Sequence, residues 1–155
     1  MRRAAAGLTQ AQGPDGVYRL VWPIPADVKI PSVSAGADTG RWVAEIIKRR
    51  ATLLGGRVPA AAGWWSGRDI VDTFKEITGK PAEYLQIDGE VWKGEMVKSG
   101  MTEKVAHEVL ESFILFKDYK YFGTANPEQD VEEANKVGAV RNGAGDKWML
   151  TSLGA

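Results

Sequence analysis

The chain is 155 residues long, 44% hydrophobic and 26% charged, a size and balance suited to one globular domain with a single core. Twenty basic and twenty acidic residues cancel, which removes any electrostatic reason to expect nucleic acid or an anionic membrane surface as a partner. Zero cysteines exclude disulfides, iron-sulfur clusters and thiolate zinc, one histidine excludes a histidine-rich metal site, and no apolar run approaches the roughly 20 residues that span a bilayer.

The first ten residues, Met1 to Gln10, lack an apolar segment long enough for a signal peptide, so the expectation is a soluble, cytoplasmic protein. Residues 1–16 mix Ala, Gly and Gln with a Pro14-Asp15-Gly16 turn, offer no periodic face, and predict a mobile arm. Val17 to Trp22 is β-branched and aromatic and is closed by Pro23 and Pro25, which predicts a short edge strand. Lys29 to Val33 is a second extended piece. A helix follows, capped by Asp38 or Thr39, with Trp42, Val43, Ile46 and Ile47 as its apolar strip and Lys48, Arg49 and Arg50 at the negative end of its dipole.

Trp64 to Pro81 carries a whole helix with both its ends. Ser66 is an N-cap, Asp69 stands where a capping-box acid reaches back, and Ile70, Val71, Phe74 and Ile77 recur at helical spacing. Gly79 and Pro81 stop it. Arg57–Gly63 before it and Ala82–Asp88 after it read as extended, so strand, helix, strand is the central unit.

Gly89 to Gly100 suits a short helix, Thr102 caps a longer one with Val105, Val109, Leu110, Phe113, Ile114 and Phe116 on a broad apolar face, and Pro127 initiates a polar helix to Val137. The chain ends in a glycine-rich stretch and then Trp148-Met149-Leu150, a tail able to dock on a neighbouring subunit. There is no G-x-S-x-G elbow, no H-E-x-x-H and no Walker sequence, and Gly138, Gly143 and Gly145 do not fit a dinucleotide fingerprint.

Several pieces, in this order and spacing, carry a family resemblance: Trp22-Pro23-Ile24-Pro25 leading to Lys29-Ile30-Pro31; Ala37-Asp38-Thr39-Gly40-Arg41-Trp42-Val43-Ala44; Asp69-Ile70-Val71-Asp72-Thr73-Phe74 with Thr78-Gly79-Lys80; Ile87-Asp88-Gly89-Glu90-Val91-Trp92; and Glu108 to Phe113 with Tyr121-Phe122-Gly123. From about Val17 to Gly123 the chain resembles the carboxy-terminal half of the NmrA-like proteins. The resemblance implies an atypical short-chain dehydrogenase fold in which an amino-terminal Rossmann half holds NADP and a smaller half shapes the substrate pocket. Only the pocket half has a counterpart here. The resulting expectation is an α+β or small α/β domain of short strands and about five helices: residues 1–16 an arm, 17–125 the pocket domain, and 126–155 a helix and tail.

A pocket half without its nucleotide half implies no cofactor and no redox chemistry. Fungal biosynthetic proteins resembling the family catalyse cyclisations that change no oxidation state, which points to a cofactor-independent cyclase or isomerase acting on an aromatic, polyketide- or prenyl-derived metabolite. Such a site needs aromatic walls and a proton donor. The candidate walls are Tyr18, Trp42, Trp64, Trp65, Trp92 and Tyr121, although any one tryptophan is more often a core or interface anchor. Adjacent Trp64 and Trp65 cannot both face one core from a strand. The candidate donors are Asp38, beside Trp42, and Glu90, beside Trp92, because a carboxyl group against an apolar wall keeps its proton more readily. The bland readings are an N-cap for Asp38 and a solvated first-turn acid for Glu90. An apolar face left by a missing half-domain predicts a homodimer. The rival class is a non-enzymatic regulatory or protein-binding module, or an inactive truncated reductase.

Overall fold

The structure, a computed structural model, describes residues 10–33, 35–121, 123 and 126–138. Among these are six helices and five short strands, a mixed α+β arrangement, in two units. The first unit takes the chain up to Lys29 and again from Trp65 to Tyr119; the second takes Ile30–Trp64 and the chain from Lys120 onward.

In the first unit, β1 (Gln10–Gln12), β2 (Tyr18–Trp22) and β5 (Ala82–Gln86) form one sheet in the order β1-β2-β5. β1 runs antiparallel to β2, with Ala11 opposite Arg19, and β5 runs parallel to β2, with Leu20 opposite Tyr84. Two expectations change. Val17–Trp22 was expected at a sheet edge, yet β2 is the central strand. Residues 10–12 were expected in an arm, yet they pair with it. The proline stop at Pro23 marks where β2 ends and is silent about its neighbours.

The alternation of β2 puts Leu20 and Trp22 inside, and the helices α3 (Gly67–Thr78), α4 (Gly89–Lys98) and α5 (Glu103–Tyr119) supply the rest of the core. Ile70, Val71 and Phe74 of α3, Trp92 and Met96 of α4, and Leu110 and Phe113 of α5 are buried. α3 keeps both predicted ends. Ser66 Oγ accepts from the Asp69 amide at 3.1 Å, Asp69 Oδ2 accepts from the Ser66 amide at 2.8 Å, and Gly79 closes the helix at φ 65°. Asp88 caps α4 by accepting from the Glu90 and Val91 amides. Thr102 stands before α5 and accepts from the Val105 amide.

The second unit contains α1 (Ala35–Lys48), the short α2 (Arg50–Leu53) and α6 (Pro127–Gly138), with α6 packed on α1. α1 begins three residues before Asp38, so Asp38 lies in its first turn instead of capping it. Its apolar strip divides: Trp42 and half-buried Ile46 pack with Ala62 and Val58, while Val43 and Ile47 are exposed. β3 (Lys29–Ser32) and β4 (Gly63–Ser66) form a two-stranded sheet. The strand before α3 is therefore the tryptophan pair itself, not Arg57–Gly63, and it belongs to a different sheet from β5. The tail beyond 138, including Trp148, lies outside the described residues.

Candidate functional site

The predicted site residues divide between the units: Tyr18, Trp65, Glu90 and Trp92 lie in the first, Asp38, Trp42, Trp64 and Tyr121 in the second. In the first unit the aromatic residues make a packed chain. Trp22 meets Tyr84 edge-on at 6.1 Å and Phe113 at 5.5 Å, and Trp92 meets Phe113 edge-on at 5.4 Å. Trp92 has no exposed surface, and its indole Nε1 donates to the Val21 carbonyl at 3.2 Å. It is a core residue with its one polar atom satisfied, in place of the expected pocket wall.

Glu90 also departs from its expected role. Its side chain is 70% exposed and pairs with Lys93 one turn along α4, so it faces water and a cation, not an apolar wall. That partner holds the Lys93 ammonium above its usual pKa. Tyr18 is half-buried, tilted against Phe74 at 5.0 Å, with Lys80 Nζ 5.4 Å from its ring centre. Its ring is wedged between sheet and helix.

In the second unit Asp38 is 4% exposed and Trp42, one helical turn on and on the same face, is 2% exposed. The buried Nε1 of Trp42 has no hydrogen-bond partner among the described residues, and the same holds for Nε1 of half-buried Trp65. Trp64 is half-buried and Tyr121 exposed. Asp38 with Trp42 is the one predicted acid and aromatic pairing in which both residues are buried.

Tyr84, which the sequence places on an extended segment, packs against Gly67 at the start of α3, a contact that the periodic pattern of the sequence does not reveal. The Tyr84 hydroxyl donates to the Ile24 carbonyl, and burial pushes its pKa up to about 12, helped by the negative charge of Asp27. The available signal was a glycine directly after the cap Ser66, which marks a close approach.

No group of three or more potential metal ligands occurs among the described residues. The N-termini of α3 and α4 are capped by the carboxylates of Asp69 and Asp88. No helix among the described residues is long and apolar enough to cross a membrane.

The model of the NmrA-like family matches residues 4–141. No curated protein matches the chain. Crystal structures of NmrA, described as a negative transcriptional regulator, are similar: the monoclinic form at 18% identity and TM-score 0.67, and complexes of that protein with NADP and with NAD, each at 17% identity and TM-score 0.67. Each comparison covers 90% of this chain and 44% of the other, so the chain spans less than half the length of these structures. At such identities the likeness is one of fold.

Proposed function

The chain belongs to the NmrA-like family, and from that premise we propose that it is a regulatory, partner-binding module of the family and not a catalyst. The observation carrying this reading is the placement of the aromatic side chains. Trp22, Trp42 and Trp92 retain 2%, 2% and 0% of their exposure, so these three rings are committed to packing. Of the two expected proton donors, Glu90 stands in water beside Lys93. Val43 and Ile47, one turn apart on α1, both face outward and form an apolar pair of the kind that protein contacts cover. The similar NmrA structures are described as a negative transcriptional regulator, which supports a regulatory partner for this chain. The test is binding between purified components: a transcription-regulatory protein that co-isolates with the chain should bind it directly at micromolar affinity or better. Lack of direct binding, together with turnover of an aromatic metabolite, would replace this reading.

One observation favours a second reading, a non-redox cyclase or isomerase. Asp38 and Trp42 form a buried acid and aromatic pair one turn apart, with an indole N–H that has no acceptor among the described residues. A substrate oxygen would satisfy that donor. On this reading the chain converts an aromatic metabolite without added nicotinamide.

A further inference from the structure

β5 hydrogen-bonds β2 on one side only, and its other edge is open among the described residues. Which backbone groups face that open edge follows from the register. The Tyr18 amide donates to the Pro81 carbonyl and the Ile87 amide donates to the Trp22 carbonyl, so the odd-numbered residues of this stretch turn their N–H and C=O towards β2. Strand alternation then points the backbone groups of Ala82, Tyr84 and Gln86 outward. None of the three is proline or charged. Pro81, which would block an edge, belongs to the set facing β2 and so leaves the outer edge able to pair.

We propose that this edge pairs with the same edge of a second copy, joining two three-stranded sheets into one antiparallel six-stranded sheet. The register with full overlap places the twofold axis at Tyr84. There Tyr84 meets Tyr84 of the second copy, and Ala82 meets Gln86, each as a hydrogen-bonded pair, about six backbone bonds in all. The same register sets Lys80 opposite Asp88 at both ends. Both residues are exposed and opposite in charge. On the solvent face it sets Glu83 opposite Leu85, which is 43% exposed. The edge is thus self-complementary in backbone pattern and in charge, as a closed twofold contact requires. This inference stands apart from the regulatory reading, since it needs no third partner.

Sedimentation of the purified chain tests it, with the mass expected near twice 16.9 kDa at about 100 μM and falling on dilution. Gln86→Pro removes an outward N–H without touching the ladder to β2 and should return the mass to 16.9 kDa, while Gln86→Ala should leave the dimer intact. Lys80→Glu should weaken association about three- to tenfold. Amide exchange of the wild-type chain gives a reading independent of any variant. The Ala82, Tyr84 and Gln86 amides should be protected at high concentration and lose that protection on dilution. A monomer at the higher concentration, a folded Gln86→Pro variant that still dimerises, or a dimer whose Tyr84 and Gln86 amides stay unprotected would each overturn the proposal.

Discussion

Tyr84 lies so close over Gly67 that a β-carbon on Gly67 would stand 2.1 Å from Tyr84 Cε2. That ring is held from its far end by the bond to the Ile24 carbonyl and meets Trp22 edge-on, so moving it disturbs both contacts. Gly67→Ala is therefore expected to cost about 1–3 kcal/mol, as overpacking at a filled site does. Chemical denaturation measures it. Shortening the ring in the double variant Gly67→Ala, Tyr84→Leu should recover part of the loss relative to the sum of the single changes. Equal stability of Gly67→Ala and wild type would show that the helix start yields freely.

The same tyrosine and a surface carboxylate contribute to the pH dependence of the first unit at opposite ends of the range. Tyr84 is raised from 10.0 to about 12, so the stability it adds is complete below pH 10 and disappears as pH climbs through its folded value. Asp15 is lowered from 3.8 to about 2, first by its hydrogen bond from Arg19, so its contribution is complete above the ordinary carboxylate range and disappears as pH falls towards 2. Thermal melts between pH 2 and 12 should show Tyr84→Phe flattening the alkaline limb and Asp15→Asn the acid limb. A Tyr84 phenolate appearing near pH 10 in ultraviolet titration would contradict the packing described.

How much could be read in advance depended on whether the determining chemistry was local. The ends of α3 were legible because Ser66, Asp69 and Gly79 act within a few residues of themselves. The neighbours of β2 were not, since Gln10–Gln12 carries no periodic signal and pairs only because the chain turns back through Gly13 and Gly16. The strip on α1 was legible as apolar but too wide. Steps of about 100° per residue put Trp42 and Ile46 within about 40° of each other and carry Val43 and Ile47 to about 100° and 140°, beyond what Ala62 and Val58 cover. For the candidate site, sequence proximity of acid and aromatic was a poor guide. Glu90 and Trp92 are two residues apart on α4, about 200° around the helix, so one points to water and the other inward.

Trp92 and Trp65 should separate a core role from a surface one. Trp92→Ala deletes a fully buried indole along with its bond to the Val21 carbonyl, and a loss of about 3–5 kcal/mol is expected. Trp65 is half-buried with its Nε1 unmatched among the described residues, so Trp65→Phe removes an unsatisfied donor and should change stability by less than about 1 kcal/mol. Denaturation of the two variants checks both values. A large loss in Trp65→Phe would mean that its N–H has found an acceptor in solution.

The two carboxylates decide between the functional readings. Glu90 is exposed and, among the described residues, its side chain pairs with Lys93, so Glu90→Gln is expected to leave fold, partner binding and any turnover unchanged. Asp38 is buried in the first turn of α1, and Asp38→Asn keeps its size while replacing the carboxyl group with an amide. If the chain is a partner-binding module, that change should lower stability by about 1–3 kcal/mol and reduce partner binding only in proportion to the folded fraction. If it is a cyclase, the same change should lower turnover by about 10² to 10⁴ under conditions where the variant is fully folded, with much less effect on substrate affinity. Measuring stability and turnover on one preparation of Asp38→Asn therefore separates the roles. Full turnover in the folded variant would eliminate the buried acid on which the catalytic reading rests.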